Sequence, residues 1–210
     1  EMWNKARLHQ ALWNSIKVGV IASIISTFIA LFAAKAFTRY RVKYSGLSYG
    51  AILLPFIIPE IIIAVAFIVI WTSMGLKLGL VPITISHILY CTPFCLLILI
   101  SRMDGFDKSL EEASMDLGEN IFGTFWRVTF PLLLPGIIAS LLLSFVISFD
   151  EFILAFFLSS SDQTLPIYMW SQLRFPKKLP HVLALGAIII VATSFIVMLS
   201  YWFRNLGQSN

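Results

Sequence analysis

Long apolar runs, each closed at both ends by charge, set the rhythm of this chain. Uncharged stretches lie between Lys17 and Lys35, Lys77 and Arg102, Arg127 and Asp150, and Lys178 and Arg204. A fifth, from Tyr44 to Leu76, is broken only by Glu60. A helix crossing a bilayer needs about 20 mostly apolar residues. The pattern therefore predicts five spans, near 16–36, 49–71, 82–101, 133–158 and 182–203. The first uncharged run is short, but the long stems of its flanking lysines let the ammonium groups reach the headgroups. Residues 102–132 and 159–181 are the long connections between spans, and the whole chain, 1–210, reads as a single transmembrane unit.

Composition supports lipid as the solvent. Hydrophobic residues make up 59% of the 210 positions and charged residues 12%, where a soluble domain carries about 25% charged. The expected class is an all-α integral membrane protein. The net charge of +4 does not point to nucleic acid, because the basic residues are scattered at span ends, as is usual in membrane proteins. Cys91 and Cys95 lie one turn apart in an apolar span. Two ligands make a poor metal site, so packing is expected of them. His9, His87 and His181 read as structural residues, and no metal site is expected. The opening segment, 1–15, reads as an amphipathic lead-in to the first span and is not expected to be a targeting segment.

Charge also orients the chain. The first connection carries Lys35, Arg39, Arg41 and Lys43 without an acid, which by the positive-inside rule places it in the cytoplasm. Alternation then puts 102–132 inside, 159–181 outside and the C-terminus inside. Arg174, Lys177 and Lys178 run against the rule, so the orientation rests on one loop. An external start to the first visible span leads to the expectation of a missing earlier span.

The 102–132 connection holds Asp104, Asp107, Glu111, Glu112, Asp116 and Glu119 against Arg102, Lys108 and Arg127. Ser109 and Glu112 have capping-box spacing, and Leu110, Ala113 and Leu117 fall on one helical stripe. An interfacial helix usually presents Lys and Arg to the negative inner leaflet. This one is acidic, so a protein partner is expected. Pro131 and Pro135 suit the first turns of the span that follows.

The stretch Glu112-Ala113-Ser114, Gly118 and Val128-Thr129-Phe130-Pro131 resembles the cytoplasmic signature of binding-protein-dependent ABC importer permeases: Glu-Ala-Ala, three residues, Gly, nine residues, Ile-x-Leu-Pro. Ser114, Val128 and Phe130 are the departures. "LPFIIPEII", "SFDEF" and "TLPIYMWSQLRF" resemble the polyamine (spermidine/putrescine) branch of that family. The resemblance implies the type I importer permease fold (MetI-like), five visible helices with a first one missing, and a cytoplasmic coupling helix. It implies Glu112, Ala113, Ser114, Gly118 and Pro131 at a contact with a dimer of cytoplasmic ATPase subunits, which carry ATP and Mg. It further implies a second, homologous permease subunit, an external solute-binding protein and a bacterial inner-membrane location. No Gly-x-x-x-x-Gly-Lys-Ser/Thr loop is present, so hydrolysis belongs to a partner and the chain itself is not expected to be an enzyme.

Three acids fall within or beside spans: Glu60, Asp150 and Glu151. Each would cost about 2.5–3.5 kcal/mol at a helix centre, which makes each a candidate for the solute pathway. At about 1.5 Å per residue, Glu60 lies about 16 Å from Tyr49, near midplane, and Asp150 about 22 Å from Pro135. In a continuous helix Ser140, Ser144, Ser148 and Glu151 share a face and Asp150 points away. Pairing with backbone or with a partner subunit is the alternative for all three. Pro55 and Pro59 are expected to bend the helix around Glu60. Acids along the route favour a cationic solute such as a polyamine. Opines or other amino-acid derivatives, aminophosphonates and ferric iron remain open. Trp170, Gln172 and Arg174 mark the expected surface for the binding protein. A proton-coupled secondary transporter is the rival from another class, but it needs internal repeats that the five spans do not display.

Overall fold

The computed structural model describes residues 6–40 and 45–205. Arg41 and Lys43, half of the charge that orients the first connection, lie outside the described residues. The helices are α1 (Ala6–Arg39), α2 (Ser45–Ile57), α3 (Glu60–Ser73), α4 (Leu80–Asp104), α5 (Ser109–Asp116), α6 (Ile121–Thr124), α7 (Phe130–Asp150), α8 (Ile153–Leu158), α9 (Leu165–Gln172) and α10 (Leu179–Asn205). A π-helical turn, Phe125–Thr129, joins α6 to α7, and a 3₁₀ turn, Pro176–Lys178, precedes α10. Among the described residues, four stretches are each long and apolar enough to cross a membrane: Ala6–Arg39, Leu80–Asp104, Ile121–Asp150 and Pro176–Asn205.

Helices α1, α4 and α7 form the centre, with α10 against α7 and the α2–α3 pair against α4 and α8. Small and polar side chains hold that centre together. On α1 the buried face is Gly19, Ala22, Ser23, Ser26, Thr27, Ala30 and Ala34. Ile21, Ile24, Ile25, Phe28 and Phe32 point outward and are 38–61% exposed. Lipid tails are as apolar as isoleucine, so helices associate here through close backbone approach and interhelical hydrogen bonds. A Cβ on Gly136 of α7 would sit 2.9 Å from the Arg102 side chain of α4. Cys95 Sγ lies 3.6 Å from Thr27 Oγ1, and Cys91 Sγ lies 3.6 Å from the Ser144 carbonyl. Both thiols fill the three-helix seam.

Two expected spans are broken. The second, 49–71, is the α2–α3 pair, bent by 102°. Pro55 is accommodated inside α2, and the break falls at Pro59, whose extended backbone (ψ 132°) ends one helix and caps the next. The fourth, 133–158, stops at Asp150 because Glu151 adopts an extended conformation (ψ 124°). A new helix then starts at Ile153. Glu151 thus lies beyond the helix that carries Ser140, Ser144 and Ser148, yet it still falls on the Ser148 side, where one ring, His87, reaches both, and Asp150 points away.

The bundle has two polar ends. At one, Asn14 Nδ2 donates to the Gln163 carbonyl (3.0 Å), Leu165 N–H to Ser15 Oγ (2.8 Å) and Gly79 N–H to the Leu158 carbonyl (2.9 Å). At the other, Arg39 pairs with Glu111 (2.9 Å), and Arg102 Nε donates to the Leu132 carbonyl (3.0 Å). The last turns of α1 and α4 thus share an end with 105–132, and the 159–165 segment lies at the opposite end.

Candidate functional site

The 105–131 segment is a compact helical hairpin rather than an isolated surface helix. Asp107 Oδ1 accepts from Ser109 N–H at 2.9 Å and takes the capping role expected of Ser109, which is already the first helical residue. The Ser109 donors hold the Asp107 carboxyl below the usual carboxylate range. Two residues beyond the end of α5, Gly118 has φ +94°, a left-handed conformation that a Cβ disfavours. Asn120 then caps α6 by accepting from Gly123 N–H at 2.8 Å. Pro131 occupies the first turn of α7. A proline ring collides with the carbonyl four residues back, here Arg127. In the turn just before it, Phe130 N–H donates five residues back, to Phe125.

The faces of α5 are the reverse of a soluble amphipathic helix. Leu110, Met115 and Leu117 are 46%, 42% and 88% exposed, and Ala113 is exposed beside them. Inward point Glu111, 7% exposed, and Ser114, whose hydroxyl lies 3.1 Å from Thr124 Oγ1. Glu112 sits on the outside and pairs with Lys108 at 3.1 Å, both more than half exposed. Ile121 and Phe122, 62% and 73% exposed, extend the apolar surface past Gly118. Of the five expected coupling residues, Glu112, Ala113, Gly118 and Pro131 are exposed, Pro131 in the first turn of the next helix, and Ser114 is turned inward.

The three intramembrane acids have different surroundings. Glu60 begins α3, where the helix dipole favours a carboxylate, and accepts a hydrogen bond from the Tyr90 hydroxyl of α4. Glu151 is buried. Its two oxygens accept from Leu154 N–H (3.0 Å) and Ala155 N–H (3.2 Å), so it caps α8. His87, also buried, places Nε2 3.4 Å from the Glu151 carboxylate and Nδ1 2.7 Å from Ser148 Oγ. Asp150 is exposed, and its carboxylate makes no hydrogen bond or ion pair among the described residues. It lines a cavity of about 390 Å³ together with Phe152, Met169, Trp170, Gly186 and Ile189.

Asp150 and Trp170 therefore meet in one cavity, while Glu60 and Glu151 turn toward α4. Trp170 packs on Phe152 and Phe156, with the Arg174 guanidinium 4.8 Å from its ring centre. Gln172 accepts from Lys178 Nζ at 2.8 Å. The segment read as an external loop thus contains a helix, α9, that wedges Trp170 between α8 and the cavity. Sequence reasoning passed over Tyr90 and Thr129, read His87 only as a structural residue, and counted Arg39 and Glu111 only as charges of their connections. The signature spacing singles out Glu112, but it gives Glu111 no role; their opposite orientations come from helical phase.

Residues 26–206 match the family described as binding-protein-dependent transport system inner membrane component. The chain is 30% identical over 200 residues to the spermidine/putrescine transport system permease protein PotC of Escherichia coli (strain K12), covering 95% of this chain and 75% of that protein. It is 25% identical over 217 residues to the putrescine transport system permease protein PotI of the same organism, covering 99% and 76%. Among solved structures it is similar to a chain of the MetNI methionine ABC transporter in an inward-facing conformation. There the TM-score is 0.71 at 16% identity, over 95% of this chain and 97% of that one. A bacterial alginate ABC transporter in complex with alginate-bound periplasmic protein gives a TM-score of 0.73 at 14% identity, over 99% and 82%.

Proposed function

The chain belongs to the family of binding-protein-dependent transport system inner membrane components and has the all-helical fold of ABC importer permeases; from this we propose that it forms half of the membrane pathway of an ATP-driven polyamine importer. The observation that carries the coupling part is the outward face of α5. A short helix that buries Glu111 and, with the residue that ends it, presents Leu110, Ala113 and Leu117 to the outside leaves an apolar surface for another chain to cover. Glu112 stands beside that surface as a charge for orienting the partner. The partner is a dimer of cytoplasmic ATPase subunits that carry ATP and Mg, and 105–131 lies on the cytoplasmic side with the C-terminus. A second permease subunit completes the pathway. An external binding protein docks over the opposite end, near Trp170, Gln172 and Arg174.

Transport then needs two arrangements of one bundle, outward-open and inward-open. ATP and the loaded binding protein favour the first and hydrolysis restores the second. The polyamine assignment is supported by the likeness to PotC and PotI and by acids at the polar break of α3 and at the α7–α8 junction. Asp150 has no protein donor among the described residues and is open to an ammonium group, both Glu151 oxygens are taken by backbone amides, and half-buried Glu60 has one oxygen taken by Tyr90.

The test is uptake by the complex purified from native membranes and reconstituted in vesicles, with labelled spermidine and putrescine. ATP-dependent uptake that Glu112→Lys abolishes, with loss of the ATPase subunits from the purified complex, is expected. Uptake without ATP, driven by a proton gradient, would instead favour a secondary transporter. An ATP-driven complex that rejects both amines, under conditions in which a relative's reconstituted complex transports them, would move the solute assignment elsewhere.

A further inference from the structure

Helix α5 carries its apolar side outward, so hydrophobic packing does not seat it on the bundle. Its main neighbours are α6 and the π-helical turn, and Gly105 and the left-handed Gly118 flank it. Its direct tie to the body of the protein is polar. Glu111 turns inward and uses both carboxylate oxygens: Oε2 accepts from Arg39 Nε of α1 at 2.9 Å, and Oε1 accepts from the Thr129 hydroxyl at the last residue of the π-helical turn. The Arg39 and Glu111 side chains are each only 9% exposed. Arg39 also donates from its outer nitrogen to the Met103 carbonyl (3.1 Å) and the Phe106 carbonyl (3.4 Å), and its guanidinium lies 4.8 Å from the Phe106 ring centre. Lys35, one turn earlier on α1, lies over the ring of Phe125 at 4.5 Å.

This network joins the ends of α1, α4 and α7 to α5. A buried ion pair is weak evidence for stability, because desolvation offsets much of the attraction. Its geometry matters more. A pair held by additional donors fixes one relative placement of its elements, whereas an apolar contact would allow sliding. The π-helical turn belongs to the same device. One residue fewer between Phe125 and Thr129 would rotate Thr129 about 100° around the helix, away from Glu111.

We infer that Arg39, Glu111 and Thr129 are positioning residues for coupling. They form a rigid polar joint through which displacement of the α5 docking face is passed to α1 and α7. The inference rests on α5 being the ATPase contact. It adds that Glu112 faces the partner while the adjacent Glu111 transmits its movement.

The experiment uses the whole complex with its ATPase and second permease subunits, spin-labelled at I29C on α1 and at D116C on α5, outside the exposed apolar residues Leu110, Ala113, Met115 and Leu117. Distance distributions are recorded without nucleotide and after trapping with ATP and vanadate. In the otherwise unaltered chain the α1–α5 distance should stay narrow and unchanged between states. E111Q, which keeps the shape and one acceptor, and T129V, which keeps the ion pair, should both broaden it. Both should lower uptake of spermidine per ATP hydrolysed roughly tenfold, the effect of losing a hydrogen bond to a charged group, with ATPase subunits still co-purifying. T129S, which keeps the hydroxyl, should restore a narrow distance. Two results would overturn the joint: an unchanged distance and unchanged coupling in both E111Q and T129V, or release of the ATPase by E111Q, which would make Glu111 a docking residue. E112K separates this from failure of the docking reading. If E112K releases the ATPase while E111Q and T129V behave as the unaltered chain, the joint alone is wrong. If E112K keeps the ATPase bound and coupled, the docking reading fails and the role of the joint fails with it.

Discussion

Glu111 and Glu112 are adjacent and chemically identical, yet one is buried in a three-way hydrogen-bonded contact and the other pairs with Lys108 in solvent. Residue type does not determine role here; phase on α5 does. Glu151 makes the same point inside the bundle. Its carboxylate caps α8, so Glu151→Ala should free the Leu154 and Ala155 amides. A lost helix cap costs about 0.5–2 kcal/mol, and faster hydrogen exchange at those two amides is the expected readout. Unchanged protection would mean that the cap is idle. Gly118, at φ +94° with open space around it, should reject a side chain for conformational reasons alone. Gly118→Ala should cost about 1–2 kcal/mol locally, seen as faster exchange across 109–117, with the bundle unaffected.

Among the elements, the breaks carry the most information. The α2–α3 bend and the α7–α8 break each open a polar site within apolar sequence, and α4 serves both, through Tyr90 to Glu60 and His87 to Glu151. Tyr90→Phe should release the Glu60 carboxylate from its donor. An intact assembly with altered solute affinity is expected, measured as a change in KM for uptake at constant complex yield. A second element-level expectation concerns the π-helical turn. Deleting Arg127 should convert it to an α-helical turn and rotate α6 relative to α7 by about 100°. The complex should still assemble its membrane bundle but lose coupled uptake; retained coupling would show that the register of this turn is unimportant.

For the molecule as a whole, the two polar ends and the small-residue seam between α1, α4 and α7 describe a unit unfinished on its sides. α10 buries only Val182, Leu185 and Ser200 among its described residues, and large apolar side chains of α1 and α3 face outward. Lipid and a second subunit are the surfaces that such faces suit. Asp150, unpaired and open to the cavity beside Trp170, belongs to this scale because its use depends on what passes. Asp150→Asn should raise KM for spermidine about tenfold, equivalent to about 1.4 kcal/mol, with assembly intact. Normal kinetics would remove Asp150 from the pathway.

The sequence by itself determined the solvent, the class and the family, because these depend on quantities that add along a chain. Twenty apolar residues identify a span wherever they fall, and the Glu-Ala-Ser-x₃-Gly spacing with Pro131 needs no neighbours to be seen. It also exposed Glu60 at a proline-framed break. Tertiary structure alone decided which acids are engaged and which are open. The halts of α7 at Asp150 and of the second span at Pro59 end the helical phase there; that Glu151 still meets Ser148 across His87 is decided by packing and not by a continuous helix. The partners of Glu111 come from positions 39 and 129. No local pattern links sites so far apart, and only the packing of α1 beside α4 and α7 brings them together.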